Sequence, residues 1–491
     1  EIKGLVNGLQ SVYLDGTPVQ SSGGSNNFSG LEFDFRTGTQ DQDYIPGFPS
    51  SEIVRSVGVA LKASNPWTHH LTGQTLDAVR ITFGVDGLSE ANASNGDING
   101  YTVQYAIDLR VGSGGWSTVN EGSFSGKTTS SYRRTIRVDL PKSTEGWDIR
   151  VRRITPDTSS SLIQSTSVID YITEVIDGKL RYPMSALAAI KVDSQQFGST
   201  IPTRAYDMEG RIVKVPSNYN PETREYNGIW DGTFKPAYTN NPAWVIYDII
   251  TNDRYGCGEQ VPAAWVSKWN LYAIAQYCDE LVPAGGGLME PRFTCNVYLQ
   301  DRREAGSVLN DFVSVFSGVM FWGFSNVMPV ADMPKDKAYT YNQTNVIDGK
   351  FSYTGTPLRE RFTAALVSYN DMTDMGRQKV IAYQDPKAVN RYGIRQTEIT
   401  AFGCTSPGQA LRVAKSAIFT SQMLTRAVSF SVGLDGTLVA PGDVIEVVDP
   451  DLAGRRAGGR VKSATTSSVT LDAETVVAVG DKITASLPTG K

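Results

Sequence analysis

The chain has 491 residues, of which 40% are apolar and 20% charged, with a formal net charge of −5. That length is too great for one hydrophobic core, so three or more domains are expected. The mild negative charge lacks the basic excess of a general nucleic-acid binder, although a pore through which DNA slides stays open. No apolar run approaches the ~20 residues of a membrane-spanning helix.

Forty-seven glycines, with abundant Ser, Thr and Tyr, favour strands and turns over helices. The four cysteines, Cys257, Cys278, Cys295 and Cys404, form no CxxC pair, which argues against zinc. Cys278 and Cys295 sit in apolar periodic segments and read as buried thiols, with a disulfide left open by the spacing. So few cysteines fit assembly in a reducing cytoplasm. No signal peptide is visible, and the opening EIKGLVNGLQSVYLDG reads as strand, so the chain is expected to be an internal fragment.

Residues 1–29 predict one or two strands with a turn at Asp15-Gly16 and a loop at 21–25. From Gly30 to about Arg153 short alternating segments follow one another: 31–35, 57–61, 78–83, 101–107, 135–138 and 149–152. Turn residues separate them, the pattern of an antiparallel sandwich. Arg133, Arg134 and Arg137 suit an edge that must not aggregate. A polar, Ser/Thr-rich connection (155–167) ends this stretch. Strands resume at 168–175, 186–192 and 210–216.

Residues 240–324 read as a compact α+β unit. A helix is expected from Pro262, with Trp265, Trp269, Tyr272 and Gln276 on one face. Pro283 and Gly285-Gly286-Gly287 stop it. Phe293, Cys295, Val297 and Leu299 alternate like a half-buried strand. Ala305, Val308, Leu309, Phe312 and Phe316 form a second amphipathic helix, and Gly318 to Phe324 a short apolar strand. The aromatics of this unit are expected in its core. Strands return at 351–353, 364–369 and 379–383. A helix opens at Ser406-Pro407-Gly408, with Ala410, Leu411, Val413, Ala414, Ala417, Ile418 and Leu424 on its apolar face. Strands at 427–432 and 443–448 precede a short module, 452–491.

Chemistry-bearing patterns are sparse. His69-His70 are the sole histidines. Adjacent histidines point to opposite faces of a strand or share a loop, and a solvated loop is the expectation. There is no GxSxG elbow and no P-loop. Asp41/Asp43 and Asp449/Asp451 lack the rest of a calcium loop and read as turns. Glu290 and Asp231 are the candidate carboxylates for glycoside hydrolysis. Trp67, Trp116 and Trp147 are candidate sugar-stacking residues, with core or interface placement the commoner fate. Three Asn-x-Ser/Thr triplets begin at Asn27, Asn92 and Asn342.

One resemblance is carried by motifs in combination. They are Tyr226-Asn227-Gly228-Ile229-Trp230-Asp231-Gly232-Thr233-Phe234, Asn241-Pro242-Ala243-Trp244, Tyr272 to Asp279, Glu290-Pro291-Arg292, Ala401-Phe402-Gly403-Cys404-Thr405-Ser406 and Gly442-Asp443-Val444-Ile445-Glu446. A weaker one is Asp97-Ile98-Asn99-Gly100-Tyr101. Together they resemble the tail-tip J proteins of lambda-like siphophages, also called host-specificity or central tail-hub proteins. The triplets at Asn27, Asn92 and Asn342 would carry no glycan in a phage protein.

The resemblance implies a mainly β, multidomain fold with β-barrel-like hub domains, an inserted β-sandwich and one α+β domain, in a tail-hub (baseplate hub-like) architecture. The expected domains are a first barrel from 1–29 and 160–235, the sandwich at 30–159, the α+β domain at 236–345, a second barrel at 346–450 and a small, truncated β module at 451–491. It implies a homotrimer whose paired barrels present a pseudo-sixfold surface to the hexameric tail tube. Other tail proteins, including the distal tail proteins and the tape-measure protein, would dock on it. Phage DNA would pass through the lumen, and an absent C-terminal region would contact the bacterial outer-membrane receptor. The expected location is the virion tail tip, after assembly in the host cytoplasm. The family matches make Glu290 and Asp231 structural, so no enzyme activity, catalytic residue, cofactor or metal is assigned. The rival reading is a secreted, β-rich carbohydrate-binding or glycan-degrading protein. A third makes the sandwich an adhesive module on a hub.

Overall fold

The computed structural model describes residues 1–491 apart from 74, 194, 195, 198, 199, 324, 454–458, 481, 482, 484 and 486–491. Phe324, the expected end of a strand, and parts of the module at 451–491 therefore lie outside the described residues. Residues 29–196 form one compact unit; Ile2–Phe28 and Phe197–Lys491 form another.

The first unit is a sandwich of two four-stranded antiparallel sheets. One runs Ser117–Gly126, Tyr101–Val111, Trp147–Arg153, Trp67–Leu71; the other runs Tyr132–Asp139, Ala78–Val85, Ser167–Asp177, Pro49–Leu61. Alternation decides what is buried. Val79, Ile81, Phe83 and Val85 point inward from one central strand, and Val103, Tyr105, Ile107 and Leu109 from another. Phe83 meets Tyr105 edge to face at 4.8 Å. Each such side chain contributes roughly 1.5–3 kcal/mol on burial. The three arginines at 133, 134 and 137 lie on Tyr132–Asp139, an edge strand.

Two of these strands, Trp67–Leu71 and Ser117–Gly126, were not expected from the sequence. Ser117–Gly126 is Ser- and Gly-rich and buries just Phe124, so its ladder to Tyr101–Val111 defines it. The strand Ser167–Asp177, assigned by sequence beyond the sandwich, pairs with both Ala78–Val85 and Pro49–Leu61. The Ser/Thr-rich stretch before it is a connection between the two sheets. Buried Arg153 holds that connection, donating to Ser165 O, to Ser165 Oγ at 2.9 Å and to Ser167 Oγ at 3.0 Å. Composition alone reads such a stretch as a linker.

The second unit is built from small sheets. Met208–Pro216 lies between Ile2–Leu5 and Phe234–Tyr238, and Val12–Leu14 lies between Arg204–Tyr206 and Thr17–Pro18. The hairpin at Asp15-Gly16 has φ of +48° and +81°, the primed turn that matches strand twist. Three helices follow: α1 (Pro242–Thr251), α2 (Lys268–Asp279) and α3 (Ala305–Ser314). Asn241 caps α1, accepting from Ala243 N at 3.0 Å, with Pro242 at the first helical position. Their core holds Trp230, Trp244, Tyr247, Leu271, Phe312 and Phe316. Buried Asp279 is satisfied by Arg224 at 2.8 Å, Asn241 at 2.8 Å and Tyr226 at 3.0 Å.

Several expectations change here. A single 3₁₀ turn covers Ala263–Trp265, and α2 starts at Lys268, so Trp265 and Trp269 are not on one buried helical face. They are 45% and 54% exposed. The glycine triplet is not a helix stop but the turn of a hairpin, Leu281–Gly285 with Leu288–Pro291. Phe293 to Leu299, expected as a strand, forms none and is held by Cys295 N to Asn240 O and Asn296 N to Gly403 O, both 2.8 Å. Helix α1 was not singled out, although Asn241-Pro242 is its start signal.

Toward the C-terminus, Ala364–Asp371 pairs antiparallel with Arg377–Gln384 and parallel with Gln396–Thr400. Between these last two strands lies α4 (Pro386–Tyr392), and α5 (Pro407–Met423) packs on the sheet through Ala410, Ala414 and Ile418. Leu424, expected on that apolar face, is 67% exposed just beyond the helix. Lys337–Asn342 pairs in parallel with Val444–Val448. The protein is mainly β and multi-sheet, with no closed barrel among the described residues. The barrel-like segments are open sheets of two or three strands, because closure needs a ladder continuous around the ring.

Candidate assembly surface

In the second unit the hairpin 281–291 is built to be stiff. Gly285, Gly286 and Gly287 have φ of +106°, +60° and +82°, conformations that a Cβ makes costly. Glu290 Oε1 accepts from Arg412 Nη1 at 2.6 Å, and Glu290 Oε2 accepts from Ser406 Oγ. Ser406 also caps α5, accepting from Gly408 N at 3.1 Å and Gln409 N at 3.3 Å. A carboxylate is favoured at that helix N-terminus. A Cβ at Gly408 would lie 2.4 Å from Glu290 Oε1, so only glycine permits this approach. Arg412 Nη2 also donates to Arg292 O at 2.9 Å. Buried Gln409 brackets Thr294, accepting from its N and donating to its O, each at 3.1 Å.

This clamp presents apolar side chains to solvent. Leu281, Leu288 and Met289 are exposed, as is Tyr298 at 82%. Elsewhere in the unit Trp265 and Trp322 meet edge to face at 5.6 Å and are also exposed. Beside them lies an apolar cavity of about 210 Å³, lined by Ile250, Cys257, Val261, Leu309, Met320 and Trp322. Exposed apolar groups such as these are candidate contact residues. The sequence reading missed the tryptophans because it assigns the aromatics of this unit to its core. The signal present was the glycine triplet between apolar residues, a hairpin tip.

The candidate catalytic and binding residues are occupied otherwise. Glu290 is the clamp just described. Asp231 holds its own turn, accepting from Thr233 N at 2.9 Å, Thr233 Oγ1 at 2.6 Å and Ser217 Oγ at 3.2 Å. His69 and His70 lie on a strand rather than in a loop: His69 stacks on Trp67 at 5.6 Å, and His70 Nδ1 is 2.7 Å from Asp148 Oδ1. Burial lowers the His69 pKa. Trp147 is buried and donates to Pro141 O at 2.8 Å. Trp116 has the Arg110 and Arg150 guanidiniums 4.9 and 4.3 Å from its ring centre. Asp43 faces Arg181 at 3.6 Å, and Asp449 accepts from Tyr353 at 2.9 Å and Asp451 N at 3.0 Å. Among the described residues no three His, Cys, Asp or Glu side chains cluster as metal ligands. All four cysteines are free; burial pushes Cys295 up to about 12 and Cys404 up to about 11.

Comparison with known proteins gives first a class. Residues 304–464 match a family profile described as putative phage tail protein, and residues 51–178 match the FNIII-A domain of tip attachment protein J. The second match spans the sandwich. The particular relationship is to tip attachment protein J itself. The chain is 38% identical to that protein of Escherichia phage SECphi27 over 98% of its own length, and 37% identical to that of Escherichia phage SECphi4 over 96%. The chain is thus a relative of the tip attachment J proteins, as the sequence motifs indicated. It spans about two fifths of the length of these relatives, 41% and 42%. Among solved structures it is similar to a 43 kDa tail protein of prophage MuSo2 from Shewanella oneidensis. That match is 11% identical, covers 82% of this chain and 89% of the other, and has a TM-score of 0.26.

Proposed function

We propose that this chain is a non-enzymatic structural part of the hub at the distal tip of a siphophage tail. The observation that carries the reading is the identity to tip attachment protein J along nearly the whole chain. Three copies close the end of the tail tube and dock the tape-measure and distal tail proteins. The ring then opens for DNA ejection during host entry. Receptor contact belongs to the part of the relatives that this chain does not span. The N-terminal strands with 197–235, and residues 346–450, form the two tube-facing elements, flanking the α+β region 236–345, while the sandwich, which includes Ser167–Asp177, is carried as an insertion.

A ring of this kind needs large apolar contacts between copies. The hairpin bearing Leu288 and Met289, and the Trp265/Trp322 pair, are suited to them. The test is the mass of the purified chain by light scattering across a concentration series. A trimer is expected. A monomer at every concentration overturns self-closure by this part of the protein.

A further inference from the structure

We propose that a basic surface in the second unit docks an acidic, partly apolar segment of a partner protein, a property independent of the hub reading. The surface forms where the loop before Ala364–Asp371 meets α4. Buried Thr363 joins the two: its Oγ1 donates to Gly393 O and accepts from Arg395 N, each at 2.8 Å. The 3₁₀ turn Leu358–Glu360 sits on this joint, with Leu358 O accepting from Arg361 N at 3.2 Å and from Arg395 Nη1. Asp385 N donates to Thr363 O at 3.0 Å and brings the start of α4 alongside. Gly355, just before the loop, pairs with Arg426.

These segments carry six cations, Arg359, Arg361, Lys387, Arg391, Arg395 and Arg426, against three carboxylates, Glu360, Asp385 and Glu398. The local excess is positive in a chain whose net charge is −5. None of the nine forms an ion pair among the described residues. Asp385 instead caps α4, accepting from Lys387 N at 3.0 Å, and Glu398 accepts from Gln396 Nε2 at 3.1 Å. Arg391 and Arg395 hold two like charges against one ring, 5.0 and 5.8 Å from the centre of Tyr392. The Arg361 guanidinium makes no hydrogen bond among the described residues, and its Nε is buried. Guanidiniums crowded without counter-charges repel one another, and their planar forks pair with carboxylates or phosphates. Two apolar neighbours select between these anions. Leu358 is 54% exposed and Ile394 70%, each within four residues of an unpaired arginine. A phosphate backbone would neutralise the arginines and leave both side chains in water. An acidic protein segment with aliphatic side chains covers both, as an apolar centre within a charged rim.

Fluorescence anisotropy of the purified full chain tests this with three labelled probes at low salt. They are a helix-forming peptide of glutamate and leucine, a polyglutamate peptide of equal charge, and a DNA oligonucleotide. The glutamate–leucine peptide should bind tightest, and added salt should weaken it. Arg359→Glu with Arg391→Glu should weaken it about tenfold or more. The same reversal at exposed Lys127 and Lys142 on the sandwich should leave it unchanged. Leu358→Ser with Ile394→Ser should bring it down to the level of polyglutamate. Circular dichroism checks that each variant folds. Absence of peptide binding overturns the proposal, as does unchanged affinity in the Arg359/Arg391 variant or an equal loss in the sandwich variant. Polyglutamate binding as tightly as the mixed peptide overturns it too, and tighter binding of DNA would assign the surface to nucleic acid instead.

Discussion

The two units solve burial differently. The sandwich places its large apolar side chains in one core between two sheets and covers its outer faces with ion pairs. Asp108 receives Arg150 and Arg152, and Asp148 receives Arg110. The second unit spreads its core over several small sheets and the helices packed on them, and leaves Trp265, Trp322, Leu288, Met289 and Tyr298 in solvent. Exposure as such does not separate them, because the first unit also exposes Phe48, Val54 and Leu180; what sets the second apart is the edge-to-face pair Trp265 and Trp322 and the braced hairpin that carries Leu288 and Met289.

The sharpest way to break that contrast is in the sandwich core. Trp147→Ala empties a site with 1% exposure and should cost about 3–5 kcal/mol, read as a lower urea midpoint for the sandwich transition. A loss below about 1 kcal/mol would show a loosely packed core. Next in size is acid sensitivity. Burial pushes the Asp108 carboxyl up, but hydrogen bonds from Arg152, Thr118 and Arg150 outweigh it and hold the pKa at about 2, below the usual 3.8. Its contribution of about 2 kcal/mol is therefore present above pH 4 and decays as pH falls from 4 toward 2. Urea titrations at pH 7 and pH 3 should show that slope, with Asp108→Asn flattening it.

In the second unit, Glu290→Gln should loosen the hairpin by about 1–3 kcal/mol, seen as faster amide exchange across residues 281–291. Unchanged exchange would mean that Gln409 and the hairpin ladder hold it alone. The smallest effect on stability is expected from Leu288→Ser with Met289→Ser, within about 0.5 kcal/mol because both are exposed. If the unit's apolar surface serves assembly, the same pair lowers the solution mass. A folding defect instead would place these residues in the core of the unit.

Much of the sandwich was legible because alternation is a local signal. The alternating segments at 78–83, 101–107 and 149–152 each lie within an observed strand. Helices α3 and α5 were equally plain, from their apolar spacing and, for α5, from Ser406-Pro407 at its start. The motifs taken together, from 226–234 to 442–446, indicated the J-protein relationship. Tertiary structure alone decided which strands share a sheet, so that Ser167–Asp177 joined the sandwich across a stretch that resembles a linker. It alone showed Glu290 to be a clamp for a hairpin and Trp265 and Trp322 to face solvent. The physical reason is the same in each case. A side chain's chemistry and period are written in its neighbours along the chain, whereas strand partners, ion-pair partners and burial depend on residues far from it in sequence, such as Val85 for Ser167 and Arg412 for Glu290.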